Sequence, residues 1–170
     1  MSLYEATVPQ LTKMLSNLER WIDEAEAHAK TKGFEPDLYL GFRLAPDQYA
    51  FVRQVQSACD SAKFAAARAG GKEPPKHPDD ETTLVQLRAR IRAVIDFLAS
   101  FDPSDFEGAE SREIRLPFMP GKAMKGIDYV HQMGLPNFYF HLVHAYAILR
   151  HNGVPLGKMK FIGGLDVYDV

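Results

Sequence analysis

The chain has 170 residues, a formal net charge of -2 and one cysteine, with 46% hydrophobic and 25% charged residues. That is the balance of one globular domain with a single core, and it offers no basic tract to nucleic acid or to an anionic membrane surface. No apolar run approaches the roughly 20 residues that span a bilayer, no secretory leader opens the sequence, and a lone Cys59 permits no intrachain disulfide, so a cytoplasmic protein with one domain over residues 1–170 is expected.

Leu11, Met14, Leu15, Leu18, Trp21, Ile22, Ala25 and Ala29 recur at intervals of three and four, which predicts one long amphipathic helix. Ser2 and Glu5 have the spacing of a capping box, so the helix begins near Leu3 with Pro9 inside it, or else starts at Val8 or Pro9; Gly33 stops it. Phe34 to Ala45 reads as a connector with a short helical turn. Pro46 is expected to open the second helix, whose apolar stripe runs through Val52, Val55, Cys59, Ala62 and Ala66 to Gly70 and Gly71. After a Gly/Pro-rich loop, Asp79, Asp80 and Glu81 precede a third helix with the stripe Leu84, Leu87, Ile91, Val94, Leu98, Phe101.

Asp102-Pro-Ser-Asp ends that helix. Glu113-Ile-Arg-Leu alternates polar and apolar and Pro120-Gly121 marks a turn, which predicts a small β-hairpin between the third and fourth helices. Helical character returns near Asp128, and Pro136 begins or restarts a fourth helix that reaches His151 and closes at Asn152-Gly153. The tail, Val154 to Val170, is expected to pack on the rest without regular structure. Four amphipathic helices and no comparable strand signal define an all-α four-helix bundle.

The fourth helix carries His141, His144 and His151 within an arc of about 80°. Along the axis, however, His144 and His151 are about 10.5 Å apart, while a ligand nitrogen sits about 2 Å from zinc. One ion cannot take the whole row. His141 with His144, or His151 with ligands from other helices, remain as candidate ligands of a divalent ion, zinc or nickel. Gln48, Gln54, Asp128 and His131 are further pocket candidates. Three readings stay open: histidines satisfied by backbone or carboxylate, a metal site, or a metal-free pocket with a histidine acid or base. With no H-E-x-x-H and no Cys/His cluster, the first leads. Cys59 lies on an apolar stripe and reads as core. Arg115 and Arg150 could meet an anionic substrate, although a surface ion pair is their default.

The stretches LYEATVPQLTKMLSNLERWIDEAEAH, RLAPDQYAFVRQVQSACDSAKFAAAR and PNFYFHLVHAYAILRHNGVPLGK resemble the DinB/YfiT-like helical-bundle superfamily, and within it an uncharacterised bacterial domain-of-unknown-function family. The resemblance implies an up-down four-helix bundle, often dimeric, so a homodimer is expected. DinB-like relatives bind a divalent metal through one histidine of the second helix and an H-x-x-x-H pair on the last long helix, and some are thiol-dependent transferases or isomerases. His151 matches the final histidine of that pair, Ala147 stands where its partner would be, and the span from Pro46 to Arg68 contains no histidine. Three function classes follow: a bundle binding a small molecule through a polar pocket near the histidines, a metal-dependent enzyme with a rearranged site, and a dimeric interaction or stress protein.

Overall fold

Ser2 caps the first helix as expected: its hydroxyl accepts from the Glu5 N–H at 3.2 Å and its own N–H donates to the Glu5 carboxylate at 2.8 Å, in a computed structural model that describes residues 2–170. Helix α1 (Leu3–Lys32) runs through Pro9 and ends on Gly33, whose φ of 75° is the left-handed cap that glycine adopts without a Cβ penalty. A 3₁₀ turn, Pro36–Gly41, fills the connector. Helix α2 (Phe51–Gly70) starts later than Pro46 suggested. The Phe51 N–H is committed to the Phe42 carbonyl at 2.8 Å and Ala50 is extended, so Pro46 belongs to a turn in which the Gln48 side chain accepts from the Leu44 N–H at 3.3 Å.

Helix α3 (Leu84–Ala99) carries a second capping box, Thr83 with Gln86. The predicted hairpin forms: β1 (Glu113–Arg115) pairs antiparallel with β2 (Ala123–Lys125), Ile114 opposite Met124. Helix α4 (Gly126–Tyr129) then passes through one π turn, Val130–Gly134, into α5 (Leu135–His151). Pro136 in the first turn of α5 has no N–H and its ring crowds the carbonyl four residues back; the wider turn, closed by the Leu135 N–H on the Val130 carbonyl, accommodates both.

The tail corrects the expectation of no regular structure, because Lys158–Ile162 forms a short helix, α6. Five residues cannot hold a helix alone. Docking does it: Trp21 Nε1 and Asn17 Nδ2 donate to the Lys160 and Phe161 carbonyls, both at 2.9 Å, and the Phe161 ring stacks on Trp21 at 5.4 Å.

Helices α1, α2, α3 and α5 surround one core in which Leu15, Leu18, Val55, Ile91, Leu142 and Ile148 are wholly buried. The most extensive contact is between α2 and α5. The alanine row of α2 permits it, since a Cβ on Gly134 would sit 3.1 Å from that of Ala65. Among the described residues no helix is long and apolar enough to cross a membrane.

Candidate functional site

Beside the alanine row, α2 carries a second row, Arg53, Ser57, Ser61, Phe64 and Arg68, at intervals of three and four. Facing it, Tyr129, Met133, Asn137 and His141 recur every fourth residue along α4, the π turn and α5. Together these two rows line a cleft of about 310 Å³, with Tyr49 and Phe118, both more than half exposed, at its rim.

Two side-chain pairs bind the rows across the helix contact. Ser61, buried, donates to the Ser57 carbonyl at 2.7 Å and accepts from Asn137 Nδ2 at 2.7 Å. Gln54, buried behind the cleft, donates through Nε2 to the Tyr49 carbonyl at 3.3 Å. Its Oε1 therefore faces the imidazole of His141, whose Nδ1 lies 2.8 Å away and carries the proton. Nε2 is left as the free, accepting nitrogen. Burial, then the nearby His144 and the Arg53 charge, hold His141 below the ordinary histidine pKa, which favours this neutral form.

At the other end, Arg68 donates to the Tyr129 hydroxyl at 2.8 Å, and its guanidinium lies over the rings of Phe64 and Tyr129 at 4.9 and 5.4 Å. Burial pushes the Tyr129 phenol above its ordinary pKa despite Arg68, so the hydroxyl keeps its proton. Behind the α2 row lies an ion network. Asp60 meets Lys63 and Arg90, each at 2.7 Å, Arg90 also reaches Asp79 at 2.9 Å and Glu81 at 3.0 Å, and Arg53 pairs with Asp79.

Of the residues singled out in the sequence, the structure brings His141 and Gln54 together and separates the rest. His144 Nδ1 takes the Phe140 carbonyl of its own helix at 2.6 Å, and its ring packs on Phe140 at 4.2 Å. His151 is exposed on the last turn of α5. Gln48 belongs to the connector turn, Asp128 accepts from Gln132 at 3.1 Å, and His131 is exposed; none of these three lines the cleft. Arg115 pairs with Glu113 and Arg150 is exposed.

A divalent ion does not fit what is present. Among the described residues no group of three or more His, Cys, Asp or Glu side chains is arranged to hold one. Around His141 the neighbours are the Gln54 amide, the Tyr49 ring, His144, whose Nδ1 is taken up by the Phe140 carbonyl, and the Arg53 guanidinium, whose charge would oppose a cation. Ser61, Asn137, Arg68 and Tyr129 escaped sequence reasoning. The signal that could have found them is the pair of polar rows at helical spacing, one beside each apolar stripe.

Fold and cleft together define a helical bundle with a polar pocket between two of its helices. The chain is similar to a solved structure described as a DinB family member protein from Shewanella denitrificans, a crystal structure at 1.83 Å resolution, with 44% sequence identity, a TM-score of 0.96, and coverage of 99% of this chain and 96% of that one. Residues 3–162 match the family described as "Domain of unknown function (DUF1993)", and the chain belongs to that family. No curated protein matches it.

Proposed function

We propose that the protein binds a small molecule in the α2–α5 cleft without a resident metal ion. One observation carries this reading: the Asn137–Ser61 and His141–Gln54 bonds fix polar groups of α5 over α2, while Asn137 Oδ1 and His141 Nε2 have no protein partner among the described residues. A handful of oriented polar groups inside an aromatic-walled hollow of about 310 Å³, at the lower end of ligand-pocket sizes, is the form that small-molecule sites take. The proposal includes a cytoplasmic setting, supported by the single cysteine, Cys59, buried as a thiol that burial pushes up to about 12.

Crystals soaked with a library of small fragments test it. Density in this cleft is expected, ordered on Asn137 and His141; fragments bound only elsewhere would sink the reading. Elemental analysis of untagged protein is expected to find less than about a tenth of a zinc or nickel ion per chain, and stoichiometric metal would overturn its metal-free part.

Pairing of two copies is part of the same proposal, supported by Phe140 and Val143, which stand 55% and 46% exposed on α5. Sedimentation over a concentration series is expected to give a dimer mass, and a constant monomer mass would remove it.

A further inference from the structure

Charge accounting around the cleft singles out Arg68. Three carboxylates, Asp60, Asp79 and Glu81, share three cations, Arg53, Lys63 and Arg90, in one network behind and beside the α2 row. Arg68 lines the same cleft and has no carboxylate within ion-pair distance among the described residues. Its single side-chain bond is from Nη1 to the Tyr129 hydroxyl, so the other N–H groups of the fork have no protein partner among those residues.

A guanidinium in this state is held in place rather than floating. The rings of Phe64 and Tyr129 lie under it at 4.9 and 5.4 Å, and Tyr129, itself 2% exposed, fixes one nitrogen. The phenol oxygen accepts from Arg68, and its own hydrogen is left to donate into the cleft it lines. Two convergent donors of this kind, one cationic and planar, match the oxygens of a carboxylate or phosphate.

We propose that the cleft selects organic anions, with the carboxylate or phosphate oxygens of the ligand taken by Arg68 and the Tyr129 hydroxyl and its apolar body set against the aromatic wall. This rests on the reading that the cleft binds a small molecule. Asn137 and His141 then meet the polar groups at the far end of the ligand. Asp60, the carboxylate that itself lines the cleft, does not cancel the preference, since Lys63 and Arg90 each hold it at 2.7 Å, and Asp79 and Glu81 are likewise matched by cations.

The test is an NMR titration of isotope-labelled full-length protein with benzoate, phenyl phosphate and neutral benzamide at constant ionic strength. Benzoate or phenyl phosphate is expected to bind at least about tenfold more tightly than benzamide, the scale of a charge-assisted bond pair. Arg68→Gln is expected to remove most of that difference, lowering the affinity for the anions far more than for benzamide. Tyr129→Phe keeps the ring stack and is expected to lose part of the anion affinity, which guards against a misfolded Arg68 variant. The stronger of the two anions identifies carboxylate or phosphate as the preferred group. Equal binding of benzamide and the anions, or an Arg68→Gln variant that binds benzoate like the parent, overturns the anion proposal and leaves the cleft reading standing. If no probe shifts any cleft amide, both fall.

Discussion

Nδ1 of His141 and Oε1 of Gln54 stand 2.8 Å apart, joining α5 to α2 from inside the helix contact. Gln54 is 1% exposed, so no water replaces it readily. Gln54→Leu therefore leaves a half-buried imidazole N–H without its partner, and about 1 kcal/mol of stability should disappear in urea denaturation. Gln54→Glu puts a carboxylate beside the ring and should raise the His141 pKa, read from its imidazole resonances. A variant with unchanged stability and titration would refute the pairing.

His141 also sets a sign for the dependence of stability on pH. Its folded pKa lies below the ordinary 6.5. Below about pH 6.5 the unfolded chain takes a proton that the folded state refuses, so stability is whole above that value and falls as the solution is acidified towards the folded pKa. His77, held down by burial and by Lys63 and Arg90, acts in the same direction. The melting temperature should drop between about pH 7.5 and pH 5.5, and His141→Asn should reduce the drop. Equal drops in parent and variant would count against this origin.

Arg90 is the hub of the ion network, with its side chain 2% exposed and Asp60, Asp79 and Glu81 all within 3.0 Å. Arg90→Leu strands carboxylates that are themselves partly exposed. A loss of about 2–4 kcal/mol is expected, below the full figure for a wholly buried pair because solvent screens Asp60 and Asp79. Chemical denaturation measures it, and a loss under about 0.5 kcal/mol would mean that the network is ornamental to stability.

Two glycines at the head of the long C-terminal helix should differ sharply. A Cβ on Gly126 would lie 1.9 Å from the Ala109 carbonyl oxygen, backbone that cannot swing away, whereas one on Gly134 would be 3.1 Å from the Ala65 methyl. Gly126→Ala is thus predicted to lower stability by more than about 2 kcal/mol and Gly134→Ala by about 1 kcal/mol or less, compared by thermal melts. The reverse order would refute the packing at the hairpin.

The bundle was readable because its cues are local and redundant. Ser2 with Glu5, the stripe of α3 and the Gly33 stop each place one element from within a few residues of sequence. The start of α2 was not, because proline fits a turn as well as a first helical turn and the deciding bond, Phe51 to Phe42, lies outside the helix. Helix α6 depends on Trp21 and Asn17, far away in the chain. The site was half readable. Histidines draw attention by type, yet only His141 has a neighbour across the bundle at the cleft, and the residues gathered round it are serine, asparagine, arginine and tyrosine, which are common on any helix surface.

A wider turn at Val130–Gly134 does more than house a proline. Each residue advances an α-helix by about 100°, so one extra residue in a turn offsets everything before it by nearly that angle. Tyr129 and Asn137, eight positions apart, would diverge by about 80° on a regular rod. The local unwinding brings them to one side. Core and ligand-facing positions of this single rod are thereby phased independently, and re-forming the turn as regular α-helix with every residue kept would rotate Tyr129 out of view while leaving the oily seam of α5 intact.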